Sequence, residues 1–258
     1  MRLWVISLTG LVLFVWPLLG GVIPADAPAY AIAGGVMVVL ALVEVGTRQL
    51  DTRRLALLAA LAAIDAALRL ALVIGIGGFS PIFFLILCAG FTFGPSYGYL
   101  VGSFSLLVSA LVTGGIGPWL PYEMLAAGWV GVAAGLVGGT VGRRLRRGGW
   151  SAVFLLAGVA VVTGYLYGAL TDIQTWTTGF RGTPDLGWAP GMPAPQALRH
   201  FVRFYLTTSL VWDTFRAAGD ALMVLVLGRP VLAALERLRG RLTVEIVHGG
   251  PTVDLPRP

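Results

Sequence analysis

From residue 3 to residue 227 the chain is a succession of apolar runs, most of them long enough to cross a bilayer, and arginines gather in the short segments between them. A helix needs about 20 apolar residues to cross the hydrocarbon core. Backbone groups in lipid must bond within their own helix or a closed barrel. These runs lack the strict alternation of barrel strands, so they predict an all-α polytopic membrane protein. The balance of residues agrees: 57% are hydrophobic and 12% charged, with a mean hydropathy of +0.86. That is about half the charge of an ordinary soluble domain, which excludes a water-soluble enzyme. It also excludes intrinsic disorder, which requires low hydrophobicity and high charge.

Eight spans are expected, at 3–19, 29–45, 55–76, 81–93, 97–113, 122–141, 150–171 and 200–227. The fourth is short. Phe93-Gly94-Pro95-Ser96 interrupts the run that would otherwise join it to the fifth. Proline removes a backbone donor, and a Gly-Pro pair marks a turn. One kinked helix of about 50 Å would overshoot the bilayer. The arginines test this map. With the N-terminus inside, the cytoplasmic segments hold Arg2, then Arg48, Arg53 and Arg54, then Arg143, Arg144, Arg146 and Arg147, then Arg229, Arg237, Arg239, Arg241 and Arg257. The outer loops hold Arg181 and, at a helix start, Arg199. This is the positive-inside asymmetry, and it places both termini in the cytoplasm. A rival reading makes the first span a signal peptide cleaved near Ala25-Asp26-Ala27.

All 18 basic residues are arginine. Without lysine there is no P-loop and no Schiff base, so any ATP is bound by another chain. Cys88 stands alone, which rules out an internal disulfide or a zinc cluster, and His200 and His248 form no metal motif. No catalytic cluster is visible, so the chain reads as non-enzymatic, with no resident cofactor or metal. The net charge of +6 follows topology rather than a nucleic-acid surface.

Small residues recur every fourth position: Ala56/Ala60, Ala59/Ala63 and Ala63/Ala67 in the third span, Gly94/Gly98/Gly102 around the fifth, and Gly131/Gly135/Gly139 in the sixth. Such stripes let helix backbones approach closely in lipid. The glycines are expected to pack within the bundle, and the alanines either there or against a partner. Charges inside spans are costly. At about 1.5 Å per residue, Arg69 and Asp213 fall at similar depths, as do Asp65 and Arg216. The expectation is that the third and last spans touch and neutralise these four residues across the contact. The alternative is an ion relay through Asp65, Asp213 and Asp220, as a stand-alone secondary transporter would use.

Two outer segments suit a ligand. One is 113–123, where glycines permit close backbone approach and Trp119 and Tyr122 offer stacking faces, although aromatics also gather at membrane interfaces. The other is a long loop, 172–199, carrying Trp176, Arg181 and Trp188. A loop of such length is functional or disordered, and its aromatics favour function. Together they suggest a site and lid facing outward.

The stretch Phe93–Gly102, then Gly114-Gly115-Ile116-Gly117-Pro118-Trp119-Leu120-Pro121-Tyr122-Glu123-Met124, then Gly128-Trp129-Val130-Gly131 and Gly135, resembles the S components of energy-coupling-factor (ECF) vitamin transporters. It is most similar to their cobalamin-type branch, in which G-x-G-P-W-x-P-x-x-M is typical. The resemblance implies a six-helix substrate-binding core at 51–228, a two-helix extension at 1–50 and a cytoplasmic arginine-rich tail at 229–258. It implies a multi-pass subunit of a bacterial or archaeal cytoplasmic membrane, partnered by a transmembrane coupling subunit and two ATPase subunits. The ligand it implies is a vitamin, with cobalamin the first candidate. The candidate binding residues are then Gly115, Gly117, Pro118, Trp119, Tyr122, Met124, Trp129, Trp176, Arg181 and Trp188. The candidate docking residues are Ala56, Ala59, Ala60, Ala63 and Ala67.

Overall fold

The computed structural model describes residues 10–12, 14–19, 35, 39, 43, 51–72, 82–117, 119–146 and 148–242. Most of the first and second spans, the A-x-A segment, Pro118 and the tail beyond residue 242 lie outside the described residues.

Among the described residues the chain is helical: α1 (Thr52–Leu72), α2 (Ile82–Phe93), α3 (Pro95–Thr113), α4 (Leu120–Gly139), α5 (Trp150–Gly179), α6 (Ala194–Phe204) and α7 (Leu210–Leu242). Short 3₁₀ turns occupy Trp16–Leu19 and Val141–Arg144, and a π-turn at Tyr205–Ser209 joins α6 to α7. Four stretches are long and apolar enough to cross a membrane: Pro95–Thr113, Leu120–Gly139, Trp150–Gly179 and the continuous Ala194–Leu242. The protein is therefore a multi-pass membrane protein. α2, about 18 Å long, does not cross alone. It is apolar on every side, and each residue from Ile82 to Thr92 is buried, as befits a helix enclosed by others.

The chain reverses at Gly94. Its φ of 100° is glycine territory, and Pro95 starts α3 where a missing N–H costs nothing. A Cβ on Gly98 would lie 2.7 Å from the Cα of Gly90. In one continuous helix those residues would be about 12 Å apart, so the expected turn is present and the kinked helix is not. Both arms of this hairpin pack on α4. Gly98 and Gly131 meet backbone to backbone, as do Gly102 with Ala127 and Gly135 with Pro95. The glycine stripes thus pack within the bundle. Gly94, at the turn, and Gly139 are the exceptions, with open space where a Cβ would be.

Two expectations need correction. The expected long loop 172–199 is half helix: α5 runs on to Gly179 and α6 begins at Ala194, which leaves 180–193 as loop. The polar run from Thr171 resembles a loop in sequence. Its threonines instead donate to carbonyls four residues back, Thr171 to Tyr167, Thr177 to Ile173 and Thr178 to Gln174, which lets them sit in a helix. The second correction concerns the buried charges. α1 packs on α3 and α2, and α2 stands between α1 and α7. Asp213 therefore pairs with Arg216 on its own helix, and Arg69 donates to Ser109 Oγ at 3.0 Å. Asp65 is fully buried, with Ser105 and Arg69 acting on it, and forms no pair with Arg216.

Candidate substrate cavity

One end of the bundle, where α1, α3 and α5 finish and α2, α4 and α7 begin, encloses a cavity of about 530 Å³. α1 contributes Arg69, α2 Ile82 and Phe83, and α3 Leu106. The start of α4 gives Trp119, Tyr122 and Glu123. The last turns of α5 give Tyr167, Thr171, Asp172, Gln174, Thr175 and Thr178, and α7 gives Arg216. The local sequence explains the placement. Gly114, in the left-handed conformation, ends α3, and Pro121 in the first turn of α4 fixes its start. The cavity therefore meets the N-terminal end of α4, where Glu123 also complements the helix dipole.

One wall is aromatic. Phe83 and Tyr167 pack with centroids 4.5 Å apart, and the Arg216 guanidinium lies over the Tyr167 ring at 5.5 Å. The other wall is charged. Arg216 is held by Asp213, which is 1% exposed. Glu123 lies in the field of both Arg69 and Arg216. Gly168 is what admits Asp213, because a Cβ there would occupy the space of that carboxylate. A second cavity of about 310 Å³ adjoins, sharing Asp172, Thr175 and Arg216 and reaching Phe204, Ser209 and Trp212. The π-turn at Tyr205–Ser209 borders it, and such turns recur at functional sites.

The candidate binding residues divide. Trp119, half exposed, and Tyr122, buried, line the cavity. Gly115 and Gly117 lie in the loop ahead of α4, outside the lining, and Met124 is buried, its carbonyl accepting from Ser103 Oγ at 3.1 Å. Trp129 packs on Phe14 at 5.7 Å. Trp176 and Trp188 are fully buried in a separate apolar cluster with Ile173, Ala197, Phe201 and Phe204. Trp176 Nε1 donates to Leu186 O at 2.6 Å, and Trp188 Nε1 to Pro17 O at 3.3 Å. These two tryptophans fasten the 180–193 loop. Arg181 is exposed, over the Trp188 ring at 5.9 Å. The sequence reading missed the polar face of α5, because it took Asp172 onward as loop. The signal available was the lack of any glycine or proline between Ala169 and Thr178.

The family model described as "ECF transporter, substrate-specific component" matches residues 53–228. The chain belongs to that family. Its members are transport subunits rather than enzymes, and membership implies association with ECF transmembrane and ATPase components. No curated protein and no solved structure matches the chain. The match begins at α1 and ends within α7, so it takes in every helix that lines the cavity of this S component.

Proposed function

We propose that this S component captures a vitamin or related cofactor in the cavity between α1, α4, α5 and α7, facing outward, and hands it inward when docked to its ECF module. The observation that carries this reading is the cavity itself. Its volume lies in the range of small-molecule sites, and it sets an aromatic wall against two guanidinium groups and the carboxylates of Glu123 and Asp172. Such a lining suits a flat ring system with a polar edge that both donates and accepts. All five candidate docking alanines on α1 are exposed, whereas Leu58, Leu61, Ala62 and Ala66 turn inward. That division supports α1 as the face that meets the coupling subunit.

The motif favours a corrinoid such as cobalamin as ligand, entering the cavity by one edge and continuing into the adjoining chamber. A specific observation favours a second reading. About 530 Å³ encloses a drug-sized molecule, so a smaller flat vitamin with an anionic edge fits wholly inside. Titration calorimetry of the detergent-purified chain against cobalamin and a vitamin panel separates the two. Tight cobalamin binding, lost on Trp119→Ala, supports the corrinoid. Tight binding of a smaller vitamin alone supports the second reading. If every ligand transported by the chain in vesicles requires a sodium or proton gradient and no ATPase partner, capture for an ECF module is overturned and Asp65, Asp213 and Asp220 become coupling-ion candidates.

A further inference from the structure

The opposite end of the bundle, about 20 Å along α7 from Arg216, carries a groove of about 600 Å³ between the α4–α5 turn and α7. Three guanidinium groups converge on it: Arg146 from the turn, and Arg229 and Arg237 from α7. Gly148 and Pro230 form its walls and leave it open. Arg229 is oriented, not merely present. Its Nε donates to Gly148 O at 3.2 Å, and its guanidinium lies over the Trp150 ring at 5.6 Å. Glu236 is the acid in the lining, and its carboxylate faces Arg239 at 3.8 Å. Among the described residues no carboxylate forms an ion pair with Arg146, Arg229 or Arg237.

Topology alone asks for arginines near this membrane face. It does not ask that three of them surround one recess. Guanidinium groups match phosphate oxygens in pairs, and basic recesses between helices at this depth suit anionic headgroups. The surface beyond the groove fits the rest of such a molecule. Trp150 is 52% exposed, Phe154 62% and Val226 64%, so the outward faces of α5 and α7 offer an apolar track that leads away from the arginines. We propose that this groove holds the phosphate headgroup of an anionic diacyl phospholipid, with its acyl chains along α5 and α7. A phosphate there bridges the start of α5 and the far half of α7.

The test is native mass spectrometry of the full chain, delipidated in detergent and then offered equal phosphatidylglycerol and phosphatidylcholine. The expected result is about a tenfold preference for phosphatidylglycerol, falling to parity in Arg146→Gln/Arg229→Gln/Arg237→Gln. The charge-matched control Arg53→Gln/Arg143→Gln/Arg144→Gln is expected to keep the preference. If the control loses it equally, the effect is net charge and the proposal fails. If the groove variant keeps it, the lipid sits elsewhere and the proposal fails. Inorganic phosphate at millimolar concentration distinguishes the source, because complete displacement of phosphatidylglycerol would make this a free-anion site and overturn the lipid. Should the triple variant not fold, Arg237→Gln, at an exposed position, is expected to lower the preference severalfold, and no change would count equally against the groove.

Discussion

The hairpin interface and the cavity lie in one bundle and solve opposite problems. Where α2 and α3 meet α4, the contact is dry and built from absence: Gly90, Gly98, Gly102, Gly131 and Gly135 bring backbones together with no side chain between them. Across the bundle, α5 and α7 enclose charge, and there a glycine makes room for a carboxylate rather than for a backbone. Dispersion and close approach hold helices together in lipid, so the first region needs no charge. The second keeps Arg69, Glu123, Asp172, Asp213 and Arg216 at the cost that ionisable groups carry within a membrane. A bundle needs the first kind of region in order to fold. The second kind adds cost without adding packing, which is why it marks function.

The sharpest way to break this contrast is Gly131→Leu. A Cβ at Gly131 already meets the backbone of Gly98, and backbone cannot rotate aside as a side chain can. Overpacking of this kind costs about 3 kcal/mol or more, so the variant should fail to give a monodisperse, cooperatively melting protein. Gly139→Leu belongs to the same stripe and meets nothing within 4 Å. It should melt with the parent. Equal damage from both would mean that helix propensity, not approach, explains the stripe.

Two tryptophans sharpen the contrast next. Trp176 is fully buried and hydrogen-bonded, so Trp176→Ala should lower stability by about 3 kcal/mol. Trp119 is half exposed at the cavity wall, so Trp119→Ala should weaken ligand affinity by about tenfold or more and leave the melting temperature near that of the parent. Calorimetric titration and thermal melting of both variants read the split. Exchanged outcomes would move the site to the 180–193 loop.

These pairs also show what was legible in the sequence. The reversal at Gly94-Pro95 was, because glycine and proline constrain backbone locally. The stripes were, because periodicity survives without knowledge of neighbours. That Arg69 and Arg216 are charges within the helices was also legible, and both line the cavity. Their partners were not. Partnership depends on which helices touch, and nothing in the spacing says that α2 stands between α1 and α7. The polar end of α5 was misread for a related reason. Its threonines satisfy themselves within the helix, so polarity there reports a face toward a cavity rather than a loop in water.

Gly168→Ala probes the border between the two regions. The new methyl would enter the space of the Asp213 carboxylate. Unlike the backbone at Gly98, that side chain moves. The expected result is a folded protein with about tenfold weaker ligand binding, because Asp213 no longer holds Arg216 against Tyr167. Unchanged affinity would show that the Asp213–Arg216 pair is structural and that the ligand is bound by the aromatic wall.

The smallest effect belongs to Arg181→Ala. Arg181 sits over Trp188 at 5.9 Å, on the loop and outside the residues that line either cavity of this end. An exposed cation–π contact contributes about 0.5 to 1 kcal/mol, and the loop keeps its other fastenings: Trp176 to Leu186, Trp188 to Pro17, and His200 Nδ1 to Gly187 O at 2.9 Å. Affinity should therefore stay within about twofold of the parent, with a melting temperature barely lowered. A tenfold loss of affinity would mean that the loop folds down over the ligand and brings Arg181 to it. In that case the charged region of the molecule extends from the cavity wall into its cover, and the cavity of the free chain is the open half of a larger site.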